Sequence, residues 1–194
     1  MNKLLIFWVL IPLTLSLFSC KSNQDQNFTN IIEVKSKIHS SFLDQEGNEF
    51  LKIEISLHNI SEDTIKLLIW TCGWPGDQIA IRPNVFDIPF DCLRNFIKSI
   101  SIEPSKSLDL ILSLQAKEKL IQLKNKKFKI GFFWFPNWAS LYSFSDEYEK
   151  TNSIDLVRRY NGHIYWSNQI KIIKKWLKPR YKADIVFEIL NSNK

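Results

Sequence analysis

Glycine, histidine and cysteine are all scarce in this chain of 194 residues, numbering five, three and three. The glycines (Gly47, Gly73, Gly76, Gly131 and Gly162) are too dispersed for a phosphate-cradling loop, and five is few for a tightly curved barrel. His39, His58 and His163 are scattered and form no close-spaced ligand pair, so neither a metal nor another cofactor is expected. A Gly-x-Ser-x-Gly elbow, a His-Glu-x-x-His helix and a Gly-x-Gly-x-x-Gly turn are all missing. The adjacent acids Asp146 and Glu147 lie in a polar stretch. Acid–base chemistry needs two carboxylates in different environments facing one cleft. No residue is assigned a catalytic role, and the chain is not read as an enzyme. A buried group of Asp, Glu or His in a deep pocket would reverse that reading.

What is present begins at the N-terminus. Lys3 is followed by a nearly unbroken apolar run from Leu4 to Phe18. That run is shorter than the roughly 20 residues of a membrane span and fits a signal-peptide core, the alternative being an uncleaved anchor helix. Leu17-Phe18-Ser19-Cys20 resembles a bacterial lipobox, although Phe18 is larger than the motif favours. The resemblance implies cleavage before Cys20 and a lipid on its sulfur. Residues 1–19 are then the signal peptide and 20–30 a polar, lipidated tether. Lipoproteins with aspartate after the cysteine stay at the inner membrane in enteric bacteria; Lys21 therefore points to the outer membrane. In Bacteroidota-like lipoproteins surface display goes with an acidic tether, and Asp25 is the only acid here.

The mature chain has the length of one domain. Its net charge falls from +6 to +5 when Lys3 leaves. Lys171, Lys174, Lys175, Lys178, Arg180 and Lys182 occur with no acid among them. Such a run is a solvated face or an electrostatic contact with anionic lipid or polysaccharide. Nucleic acid is not a partner for an exported, tethered chain. With Cys20 lipidated, Cys72 and Cys92 remain, and an oxidising compartment favours a disulfide between them over two buried thiols. The bridge would close a loop of about 20 residues, worth ~3 kcal/mol.

The folded part, residues 31–173, reads as strands. Ile32, Val34 and Ile38 alternate with Glu33, Lys35 and Lys37, and Leu51, Ile53, Ile55 and Leu57 with Lys52, Glu54 and Ser56. Further strands are predicted at 65–70, 78–82, 96–102, 108–114, 127–135 and 163–172. The last places Ile164, Trp166, Asn168, Ile170 and Ile172 on one face. Helical turns are predicted at 116–123, and a short helix capped by Ser153 at 153–160. The fold class is mainly β, an antiparallel sandwich of about seven to nine strands with one or two short helices. A strand ending in Asn59-Ile-Ser61, followed later by Pro104-Ser-Lys-Ser-Leu108, resembles a recurrent Ig-like pattern of small exported sandwiches. That resemblance implies a fold and no activity. Residues 174–194 form a basic C-terminal segment, with 184–190 apolar enough for a last strand.

Aromatics make up 13% of the chain. Trp70 and Trp74 bracket Cys72, and Trp138 and Tyr142 stand in the 26 residues 137–162, read as a long loop. Trp74, Trp138 and Tyr142 are the candidate ligand-binding residues, for a sugar face or a protein partner; core packing is the alternative. Asp63-Thr64-Ile65 resembles the O-glycosylation sequon of Bacteroidota. The function expected is a membrane-anchored envelope lipoprotein with a binding or scaffolding role. Its partners would be membrane lipid through Cys20, and envelope polysaccharide or another envelope protein. A glycan-binding module is the first alternative and an envelope enzyme the second.

Overall fold

The structure, a computed structural model, describes residues 31–70, 78–89, 97–135, 137–148, 159–160, 163–179, 181–185 and 187–190. The protein is a mainly antiparallel β-sandwich. Its strands are β1 (Ile32–Leu43), β2 (Glu49–Asn59), β3 (Ile65–Trp70), β4 (Ile79–Arg82), β5 (Phe86–Asp87), β6 (Ile97–Ile102), β7 (Ser107–Ala116), β8 (Lys127–Phe133), β9 (Ile164–Trp166), β10 (Ile170–Lys171) and β11 (Phe187–Ile189).

The first sheet runs β1-β2-β7, with β5 and β11 sharing the far edge of β7. The second has β8 at its centre, with β4 on one side and β9 and β10 on the other. β3 and β6 form a two-stranded ribbon. β2 and β7 are non-neighbours in sequence yet pair over nine residues, the crossover expected of a sandwich. β11 makes part of the C-terminal segment a member of the first sheet.

The period-two pattern decides which faces meet. Leu51, Ile53, Ile55 and Leu57 of β2 and Leu108, Leu110, Leu112 and Leu114 of β7 are fully buried. Phe128, Ile130 and Phe132 answer them from β8, and all belong to one continuous core. Full burial of each such side chain contributes about 1.5–3 kcal/mol. The Phe86 ring packs tilted against Phe128 with centroids 4.9 Å apart, joining the two sheets directly.

Asn59 is the hub of the turns at one end of the sandwich. It is completely buried. Its Nδ2 donates to the carbonyls of Asp63 (2.7 Å) and Ile102 (2.8 Å), and its Oδ1 accepts from Ser61 N (2.9 Å). Its backbone N–H donates to Lys106 O and its carbonyl accepts from Ser105 N, which holds Ser105 at φ 60. The Asn-x-Ser turn and the Pro104–Leu108 turn therefore meet at one side chain. Thr64 is exposed beside this turn.

Two expectations change. The predicted strand 163–172 is not continuous. β9 pairs Trp166 with Gly131, whereas β10 pairs Ile170 with Phe128, a one-residue bulge between them. The bulge moves Ile170 to the core face while Trp166 stays on the outer face across Gly131. Ser167 makes it possible: its N–H donates to Ile130 O (2.8 Å) and its Oγ accepts from Ile130 N (3.1 Å). Secondly, residues 138–148 are helix α1 (Trp138–Tyr148), not loop. Asn137 caps it, accepting from Ser140 N at 2.9 Å. Leu141 and Phe144, three residues apart, are fully buried. The turns read at 116–123 appear as successive i→i+3 bonds over Lys119–Lys126. Of the helix predicted at 153–160, all but Arg159 and Tyr160 lies outside the described residues.

Candidate functional site

Among the described residues a groove lies where the two sheets part, between β1 and β9. It has a volume of about 440 Å³ and runs from Asn168 to Ile60. At one end the Asn168 side chain closes it. Asn168 Oδ1 accepts from Ser36 N (2.8 Å) and Nδ2 donates to Ser36 O (3.1 Å). An amide side chain thus occupies the place of a neighbouring strand.

That clamp fixes the direction of the backbone along β1. Ser36 N–H and C=O point away from β2. In an antiparallel strand every second residue points the same way, so those of Val34 and Ile32 also face the groove. Ile31 O, at the opposite parity, accepts from Ile60 N on the β2 side. Across the groove, Ser167 N donates to β8 and His163 O accepts from Trp134 N. Ile164 and Trp166 therefore turn their N–H and C=O away from β8, towards β1. Among the described residues no strand pairs with either edge here.

The inner wall is apolar: Ile32, Val34 and Tyr165 are buried or nearly so. Glu33 and Lys35 stand on the outer side as an ion pair at 2.9 Å. The Tyr165 hydroxyl is enclosed and has no hydrogen-bond partner among the described residues. Burial raises the phenol pKa above its usual 10. Gly131 positions Trp166: a Cβ there would meet Ile164 Cγ2 at 2.5 Å and the Trp166 ring at 2.9 Å.

Beyond β9, Phe133, Phe135, Phe144, Tyr160 and His163 form an aromatic cluster. Phe144 lies 4.8 Å from both Phe133 and Phe135 and 5.1 Å from Tyr160. His163 stacks at 6.2 Å on Phe135. Burial holds the imidazole pKa below 6.5, favouring the neutral ring. No group of three or more His, Cys, Asp or Glu able to hold a metal occurs among the described residues.

The residues singled out from sequence are placed unevenly. Tyr142 is 51% exposed on α1. Trp138 opens α1, and its side chain lies outside the described residues. Cys20, Trp74, Cys72 and Cys92 also lie outside them. The groove residues Asn168, Tyr165 and Trp166 were not singled out by the sequence. The one available signal was Asn168 itself, a polar residue inside an apolar alternating run. No protein-family model matches this chain, and no curated protein matches it significantly.

Proposed function

We propose that this chain is a lipid-anchored protein of the bacterial cell envelope, favouring the outer membrane, that binds an extended peptide segment between β1 and β9. The facing strand edges at Ile32–Val34 and Ile164–Trp166 carry the proposal. These edges have no strand partner among the described residues, and a β-strand, which alternates donors and acceptors on both its sides, suits either of them. A strand bonded to both needs them about 9.6 Å apart, so where Cα atoms of β1 and β9 lie within 8 Å the edges must part to admit it. The apolar inner wall and wet outer side ask for alternating apolar and polar residues in that segment. The lipobox at Cys20 and the polar stretch after it support the anchor. The fold begins at Ile32, so a tether of eleven residues, up to ~40 Å when extended, keeps the groove near the membrane. The β3–β6 pairing supports the Cys72–Cys92 bridge, because Trp70 and Ile97 are partners and the cysteines follow and precede them by two and five residues.

The anchor is tested by fractionation: Cys20→Ala should release the protein from membranes, and continued acylation would refute the lipid. The groove is tested with the full chain in nonionic detergent and a capped hexapeptide alternating valine and serine. Bound peptide should slow hydrogen exchange at Val34 and Trp166. The same peptide methylated on alternate amide nitrogens should not. Equal protection by both peptides would refute strand pairing.

A further inference from the structure

The solvent face of the second sheet has a charge arrangement that sequence order conceals. Arg82 of β4 is directly opposite Lys129 of β8, and Lys171 of β10 is directly opposite Lys127 of β8. All four are exposed. Phe128 and Ile130 point into the core, so Lys127 and Lys129 leave from the other face. Directly opposed residues point the same way, so Lys171 and Arg82 share it. Opposed Cα atoms are about 5 Å apart, and alternate residues on one strand about 6.7 Å. The four cations form a staggered row across three strands.

Nothing within the sheet neutralises them. β4, β8, β9 and β10 contain no Asp or Glu. Among the described residues none of the four makes an ion pair. Lysines elsewhere do: Lys37 with Glu54, Lys117 with Asp87, Lys126 with Glu118. Like charges directly opposed on a sheet are destabilising, and paired strands cannot separate to relieve them. A ligand bearing negative charges a few ångströms apart turns the same row into an attraction.

We propose that this face binds a linear acidic polysaccharide, its carboxylates or phosphates lying along Lys171, Lys127, Lys129 and Arg82. A row suits a chain better than a bilayer. Membrane contact joins charge to inserted apolar side chains. Among the described residues the large exposed hydrophobics lie off these strands, the nearest in sequence being Ile173, past the end of β10. Placing the polymer in the envelope rests on the proposed function above; the row of charge does not.

The test uses the full chain in nonionic detergent with hexagalacturonate as probe, titrated calorimetrically over a range of salt. Binding should weaken with salt at a log–log slope of about −3, as for four contacts on a flexible polyanion. The double variant Arg82→Gln/Lys129→Gln should weaken binding roughly tenfold or more and about halve the slope. It should melt no lower than the parent, which excludes misfolding. Lys174→Gln/Lys175→Gln, outside the sheet, should change neither affinity nor slope. Unchanged affinity in the first variant would overturn the proposal. So would binding to phosphatidylglycerol vesicles with none to hexagalacturonate, since the occupant would then be lipid. Continued acylation and anchoring of Cys20→Ala with polymer binding intact would refute the anchor alone; release of Cys20→Ala from membranes with no polymer binding by the parent chain would refute this proposal alone.

Discussion

The two sheets of the sandwich treat their polar groups differently. On the first, Lys37 and Glu54 are cross-strand partners and bond at 2.7 Å, Glu33 bonds Lys35, and Asn59 satisfies three backbone groups through its side chain. On the second, cations oppose cations, the Tyr165 hydroxyl is enclosed without a partner among the described residues, and a strand edge stays open beside β1. Both sheets come from the same alternation of apolar and polar residues, so hydrophobic patterning does not separate them. What differs is whether charged groups find partners inside the fold, since buried hydroxyls without a partner among the described residues occur on both, Ser36 and Ser40 on the first and Tyr165 on the second. Departures from local consistency concentrate at functional positions. The comparison therefore assigns the polyanion contact to the second sheet and places no such cation row on the first, while the proposed peptide groove draws one edge from each.

The strongest way to break this division is at Asn59. Asn59→Ala strands the buried carbonyl of Ile102 and the part-buried Asp63 carbonyl and Ser61 N–H, and should cost about 3 kcal/mol in denaturant unfolding. It should leave hexagalacturonate affinity unchanged in the folded fraction. A cost below ~1 kcal/mol would remove Asn59 as the hub. Gly131→Ala is the counterpart in the second sheet. The added methyl must displace Ile164 or Trp166, at about 2 kcal/mol for overpacking. Unlike Asn59→Ala, it should also abolish peptide protection at Trp166, because that residue walls the groove.

A smaller effect comes from His163. Its folded pKa is depressed by burial, so the unfolded chain binds more protons around and below pH 6.5. Stability should be full above that value and decline as pH falls through it towards the folded pKa. His163→Phe should flatten this decline, read from melting temperatures at pH 7.5 and 5.5. An unchanged slope would place the acid sensitivity elsewhere.

Much of the first sheet was legible in the sequence. The alternation in β1, β2 and β7 named the buried residues, and the Asn59-x-Ser61 and Pro104–Leu108 signals marked turns that the structure joins through Asn59. The second sheet was less so, because its features depend on register. Lys127 and Lys171 are 44 positions apart, and only the β8–β10 pairing brings them opposite. The bulge at Ser167 hides in a run whose apolar residues keep even numbers on both sides of it, Asn168 being the one break. Helix α1 was missed because its serines and aromatics are weak helix formers; packing of Leu141 and Phe144 overrides that preference. Its cap, Asn137, was in plain sight.

The opposed cations test the central division most directly. Lys129→Glu places an acid opposite Arg82, two residues along β8 from Lys127 and diagonal to Lys171. We predict that it raises stability by a few tenths of a kcal/mol at low salt, a gain that fades as salt rises. The same substitution should lower hexagalacturonate affinity more than tenfold, because it removes one cationic contact and sets a repelling carboxylate in the row. Stability that falls, or affinity that does not, would contradict the account.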